Sequence, residues 1–120
     1  MHGRRVLVID DDSGIAELIK DILTEAGATV DAELSAEEGL RLFRTRRYDL
    51  VLLDVKMPQV GGRELKKIIE KKLPGIKTIY LTGHGSEEDY QAGSAEAEYY
   101  LMKPININDL IKKINDALKK

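Results

Sequence analysis

Asp54 stands at the end of a short apolar run, Leu50-Val51-Leu52-Leu53, and is followed by Pro58 and then Gly61-Gly62. An apolar run bounded by turn residues is the pattern of a strand buried on both faces. A carboxylate at its end is a half-buried charge that needs partners. The same arrangement recurs elsewhere. Val6-Leu7-Val8-Ile9 runs into Asp10-Asp11-Asp12, Ile76 to Leu81 runs into Thr82-Gly83-His84-Gly85, and Tyr99 to Met102 runs into Lys103-Pro104. Carboxylates sharing one crevice repel each other and raise each other's pKa. A hard divalent cation removes that conflict: Mg²⁺ takes oxygen ligands, usually one or two carboxylates with waters and a phosphate oxygen. The Lys103 ammonium can hold a phosphate as a point charge, and the Thr82 hydroxyl offers a hydrogen bond to a phosphoryl oxygen. An aspartate in such a setting is a nucleophile that forms an aspartyl phosphate. The cation and Lys103 would neutralise charge on the transferring group.

For these residues to meet, the elements that carry them must be neighbours. Ser13 is expected to cap a helix in which Ile15, Leu18, Ile19, Ile22, Leu23 and Ala26 follow helical spacing and which Gly27 stops. Asp12 reads as an exposed loop acid before it. Residues 28–33 suit an outer strand. Ser35-x-x-Glu38 is a capping box that opens a helix with Ala36, Leu40 and Phe43 inward, ending near Arg44 to Arg47. Arg63 to Lys72 reads as a helix with Leu65, Ile68 and Ile69 inward, terminated by Leu73-Pro74-Gly75. A helix after Ser86 is poor in large apolar residues. The last helix starts near Asn106 and buries Ile107, Leu110, Ile111, Ile114 and Leu118.

Strand and helix thus alternate five times. Connections of this length imply parallel strands with right-handed crossovers. The expected fold is α/β: a doubly wound, flavodoxin-like three-layer sandwich with a five-stranded parallel sheet in the order 2-1-3-4-5. In such a sheet ligands bind beyond the carboxyl ends of the strands, where strand order reverses. Strands 1, 3, 4 and 5 are then neighbours about 4.8 Å apart, and their terminal groups, Asp10 and Asp11, Asp54, Thr82 and Lys103, form a row. The one strand without such a group, residues 28–33, is the outer strand in that order.

Composition narrows the function classes. The 120 residues are 42% hydrophobic and 33% charged, with a net charge of −2 and acids and bases interleaved. This fits one domain, expected to span residues 1–120. It provides no field that attracts nucleic acid or an anionic membrane, so direct binding to either is not expected. There is no cysteine, hence no disulfide framework and no thiolate metal site. The basic start is too short for a signal peptide and the first apolar run too short for a membrane span. A cytoplasmic protein is the expectation.

With these residues in hand, the whole chain resembles a response-regulator receiver domain of bacterial two-component signalling, of the CheY-like superfamily. Val8-Ile9-Asp10-Asp11-Asp12 matches the family's acidic pair. Asp54-Val55-Lys56-Met57-Pro58 with Gly62 matches its phosphoacceptor and following loop, Leu81-Thr82-Gly83 its switch hydroxyl, and Tyr100-Leu101-Met102-Lys103-Pro104 its aromatic and lysine. The resemblance implies that Asp54 accepts a phosphoryl group from the phosphohistidine of a sensor histidine kinase or a phosphotransfer protein. It implies Mg²⁺ (or Mn²⁺) held by Asp11, Asp54 and the main-chain carbonyl of Lys56, with Asp10 acting through water. Thr82 would turn toward the phosphoryl group and Tyr100 would move inward into the vacated space. Lys56 and His84 occupy positions that tune hydrolysis in the family, and both also read as plain solvated side chains. The Lys103-Pro104 bond is expected to be cis. The output would be a changed surface on the last two helices and the strand between them, with phosphorylation-dependent pairing of two copies as one consequence. No substrate separate from the protein itself is implied, so the protein is not an enzyme in that sense.

The resemblance breaks at one place. The interval from Thr82 to Lys103 is one residue shorter than the family's, and Gly93 and Ser94 replace its usual apolar pattern. Glycine and serine inside a helix cost roughly 0.5–1 kcal/mol each relative to alanine, so this segment is expected to be the least stable part of the fold. The alternative function is a pseudo-receiver that binds a partner without phosphorylation. Two further readings fit less well. A phosphatase of the haloacid dehalogenase type wants an acid where Lys56 stands, and a flavodoxin-like cofactor binder wants a phosphate loop where Asp10-Asp11-Asp12 would repel one.

Overall fold

The computed structural model describes residues 2–55, 62–83 and 99–119. The apolar runs form strands β1 (Arg5–Ile9), β2 (Thr29–Glu33), β3 (Leu50–Asp54), β4 (Lys77–Thr82) and β5 (Tyr99–Met102). The described helices are α1 (Ser13–Glu25), α2 (Ala36–Thr45), α3 (Gly62–Lys72) and α4 (Ile107–Lys119). All strand pairs are parallel and the order is β2-β1-β3-β4-β5, as expected. The helix expected after Ser86, with Gly93 and Ser94, lies outside the described residues, as do Lys56 and His84.

Successive residues of a strand point to opposite faces, and the register builds two cores from that rule. On one face Val6, Val8, Leu50, Leu52, Ile79, Leu81 and Leu101 pack with Ile19 and Leu23 of α1 and Leu110, Ile114 and Ala117 of α4. On the other, Leu7, Ile9, Val51, Leu53, Tyr80 and Tyr100 pack with Ala36 and Phe43 of α2 and Leu65 and Ile69 of α3. The expected three-layer sandwich is the result. Leu18, Ile68 and Ile107, expected inside, are exposed. Leu18 and Ile68 lie to the side of the stripes set by Ala16, Ile19 and Leu23 and by Leu65 and Ile69, and Ile107 is the first residue of its helix. Ala117 takes an inner position, while Leu118 is half-buried.

The helix ends follow local chemistry. Asp12, not Ser13, is the N-cap of α1. Its backbone is extended, and its Oδ1 accepts hydrogen bonds from the N–H groups of Gly14 at 2.9 Å and Ile15 at 3.2 Å. These satisfy donors that a helix start leaves without partners. Gly27 ends the helix at φ +104°, a conformation that favours glycine, while Ala28 N–H donates to the Leu23 carbonyl at 3.0 Å. Ser35 caps α2 through the Glu38 N–H at 3.2 Å, but Glu38 spends its carboxylate on Arg41 at 2.6 Å instead of closing the box. Gly39 fits because a Cβ there would lie 2.3 Å from Cδ1 of the buried Ile9. Asn106 caps α4 through the Asp109 N–H at 3.0 Å.

Candidate functional site

Asp10 is the first residue beyond β1, Asp54 the last of β3 and Thr82 the last of β4. Lys103 follows β5, and its N–H extends the ladder to the Thr82 carbonyl at 2.8 Å. The register sets Ile9 beside Leu53 and Asp54 beside Leu81, so the row of terminal groups forms as expected. Asp10 is fully buried, Asp54 is 5% exposed and Thr82 1%, whereas Asp11 is open to solvent.

The charges meet. Lys103 Nζ lies 2.9 Å from Asp10 Oδ2 and 3.6 Å from Asp54 Oδ2, with 19% of its side chain exposed. The other Asp10 oxygen accepts a hydrogen bond from the Asp12 N–H at 2.9 Å. Burial by itself would lower the pKa of Lys103. The close ion pair with Asp10 and the charges of Asp54 and Asp12 outweigh that, so the ammonium is held above its ordinary pKa. Oxygens of Asp10, Asp11 and Asp54 all lie within 4.8 Å of one another. Two oxygens bound to one Mg²⁺ sit at most about 4.2 Å apart, so a small inward shift makes this an all-oxygen cation site. Three carboxylates against one ammonium leave a local excess of negative charge, which a divalent cation matches. The donor set fits Mg²⁺ or Mn²⁺ and, without sulfur or nitrogen ligands, does not favour zinc.

Thr82 adds a second signature. Its Oγ1 is buried without a hydrogen-bond partner among the described residues, and buried hydroxyls normally have one. A phosphoryl oxygen on the neighbouring Asp54 would supply an acceptor. The Tyr100 ring is buried, 6% exposed, in edge-to-face contact with Tyr80 at 5.4 Å and 62°. Sequence reasoning missed Tyr80, although it stands two residues before Thr82 on the same strand face and opposite Tyr100 in the register. The Lys103-Pro104 bond is cis, as expected.

With the acid pocket, the paired lysine and the strand order in place, comparison with known proteins is decisive. Residues 6–115 match the family described as response regulator receiver domain. The chain belongs to this family. It is 36% identical over 115 residues to the transcriptional regulatory protein GlrR of Escherichia coli, covering 95% of this chain and 26% of that protein. The chain therefore spans about a quarter of that relative's length. Among solved structures, a CheY-like receiver domain protein from Methanospirillum hungatei superposes with a TM-score of 0.88 at 38% identity, over 97% of this chain and 94% of that one. TrrA of Thermotoga maritima, in complex with Mg(2+)-BeF, gives a TM-score of 0.83 at 36% identity, over 95% and 98%. Other relatives too carry the name transcriptional regulatory protein, so the expectation that the chain does not bind nucleic acid directly gains no support from them. No described helix is long and apolar enough to cross a membrane.

Proposed function

We propose that this receiver domain, spanning residues 1–120, is a phosphorylation-dependent switch whose acceptor is Asp54. The observation that carries the reading is the placement of Lys103 between Asp10 and Asp54, beside three clustered carboxylates at the carboxyl edge of the sheet. An Asp54 oxygen attacks the phosphorus of a phosphohistidine on a sensor histidine kinase or phosphotransfer protein. The P–N bond breaks, its electron pair stays on the imidazole nitrogen, and the imidazole takes a proton from solvent. Asp11, Asp54 and the main-chain carbonyl of Lys56 would hold Mg²⁺, with Asp10 acting through water, and the bound cation would neutralise charge on the phosphoryl oxygens. Lys103, kept protonated by Asp10, draws in a phosphoryl oxygen from the other side, and Thr82 donates its hydroxyl. Water later attacks the phosphorus, the P–O bond to Asp54 breaks, inorganic phosphate leaves and the carboxylate is regenerated, with Lys56 and His84 setting the rate. Tyr100 responds to the position of Thr82, and the surface near β5 and α4 shifts between two populations, which pairing of two copies can report. The reaction has no substrate apart from the partner's phosphoryl group and belongs in the cytoplasm.

The test is a titration with beryllofluoride, an acyl-phosphate mimic, followed by amide NMR. Saturable shifts at Asp54, Thr82 and Lys103 that require Mg²⁺ and vanish in Asp54→Asn are expected. A folded protein that ignores beryllofluoride would instead be a pseudo-receiver acting only through partner binding.

A further inference from the structure

The acid pocket occupies one end of the sheet. In a parallel βα fold the helices finish at the other end, and there α2 and α3 bring together charges of opposite sign. A cleft of about 290 Å³ lies between their last turns, walled by Arg44, Arg46, Arg47 and Lys72. Leu73 and the buried, stacked rings of Phe43 and Tyr48, 6.4 Å apart and 9° from parallel, complete it. Among the described residues no carboxylate lines this cleft. Arg46 is matched by Asp31 at 3.0 Å, but Arg44, Arg47 and Lys72 form no ion pair among the described residues.

Bases at helix ends often do no more than complement the helix dipole. Here neither the Arg44 nor the Arg47 guanidinium donates a hydrogen bond to a helix carbonyl among the described residues. The Thr45 hydroxyl donates to the Arg41 and Leu42 carbonyls at 3.2 Å each, and the Arg46 N–H donates to Leu42 at 2.9 Å. Arg44 and Arg47 are thus not spent as caps, and cations from two helices face one concavity without an acid. Guanidinium forks match phosphate oxygens, and lysine adds a point charge. We propose that this cleft is a binding site for the polyphosphate group of a small anion, either free or carried by a nucleotide. The cations are grouped over one cleft instead of tracking along a groove, and the chain's net charge is −2; both favour a compact anion over a nucleic acid strand.

The site is tested on the whole chain in metal-free buffer, so that the acid pocket cannot recruit phosphate through a cation. Calorimetry and amide NMR follow titrations with tripolyphosphate, a nucleoside triphosphate, inorganic phosphate and a short DNA duplex. Tripolyphosphate is expected to bind at one saturable site that shifts the amides of residues 44–48 and 72–73. Each of Arg44→Ala, Arg47→Ala and Lys72→Ala should weaken it about tenfold. A control pair outside the cleft, Lys67→Ala with Lys112→Ala, should change it less than twofold. A nucleoside triphosphate binding as well as tripolyphosphate assigns recognition to the phosphates alone, and tighter binding adds the base; both uphold the site. Absence of saturable binding, equal weakening in the control pair, or preference for the duplex at equal phosphate concentration would overturn it. These variants leave the acid pocket intact, and circular dichroism checks that each is folded.

Discussion

At the scale of single residues, the account rests on Asp10 being a fully buried carboxylate that Lys103 neutralises at 2.9 Å. Removing one member of a buried pair leaves the other charge uncompensated, at a cost of about 3–5 kcal/mol. Lys103→Met should therefore lower the unfolding free energy by about 3 kcal/mol in urea titrations with a chelator present, and Mg²⁺ should restore part of it. A carboxylate far from the pocket behaves differently. Asp31 accepts from the Tyr48 hydroxyl at 2.6 Å and from Arg46 at 3.0 Å. Burial alone would raise its pKa, but those bonds and the charges of Arg46 and Lys20 prevail and lower it. The contribution of Asp31 is then present above the unfolded carboxylate pKa, about 3.9, and lost as pH falls through the depressed folded value. Because the site is partly exposed, its size is about 1 kcal/mol. Denaturant titrations of wild type and Asp31→Asn should differ by that amount from pH 7 to 5 and converge in stronger acid.

At the scale of elements, two short contacts between sequence and packing set the expectations. Gly39→Ala improves helix propensity by up to about 1 kcal/mol, but its Cβ meets Ile9 in a closed core, where overpacking costs about 1–3 kcal/mol. Ile9 is fully buried, so thermal unfolding should show a net loss of about 1–2 kcal/mol. Asp12→Ala removes two cap bonds and should cost about 1 kcal/mol by the same measurement. These positions also show what was legible beforehand. The strands were plain in the sequence because runs such as Leu50 to Leu53 are apolar without break, and the helix stop at Gly27 because only glycine suits that turn. Asp12 was misread because Ser13 is also a good cap, and the choice turns on backbone angles that residue type does not carry. Leu18, Ile68 and Ile107 were misplaced because spacing gives a helix face only to within the width of a stripe, while the neighbouring element decides where the stripe ends. Tyr80 was overlooked because its importance lies in a ring on another strand.

At the scale of the whole molecule, the flavodoxin-like strand order and the chemistry agree: with β2 outermost, the strands that lead to Asp10, Asp54, Thr82 and Lys103 are neighbours. The row of site residues was legible for that reason. The contact of Tyr100 with Tyr80 was not, since it joins rings on two neighbouring strands, nor was the basic cleft, since Arg44 and Lys72 come from helices far apart in sequence. A cation that binds only the folded chain stabilises it by mass action, by about 2.7 kcal/mol at a hundredfold excess over its dissociation constant. Mg²⁺ should thus raise the melting temperature of wild type, a chelator should reverse the rise, and Asp54→Asn should abolish most of it.

The most direct test of the switch chemistry is intact-protein mass after incubation with acetyl phosphate and Mg²⁺. The account predicts one added phosphoryl group, absent in Asp54→Asn and suppressed by a chelator. A wild-type adduct that persists in Asp54→Asn, or none in a folded protein that binds Mg²⁺ yet ignores beryllofluoride, would contradict it.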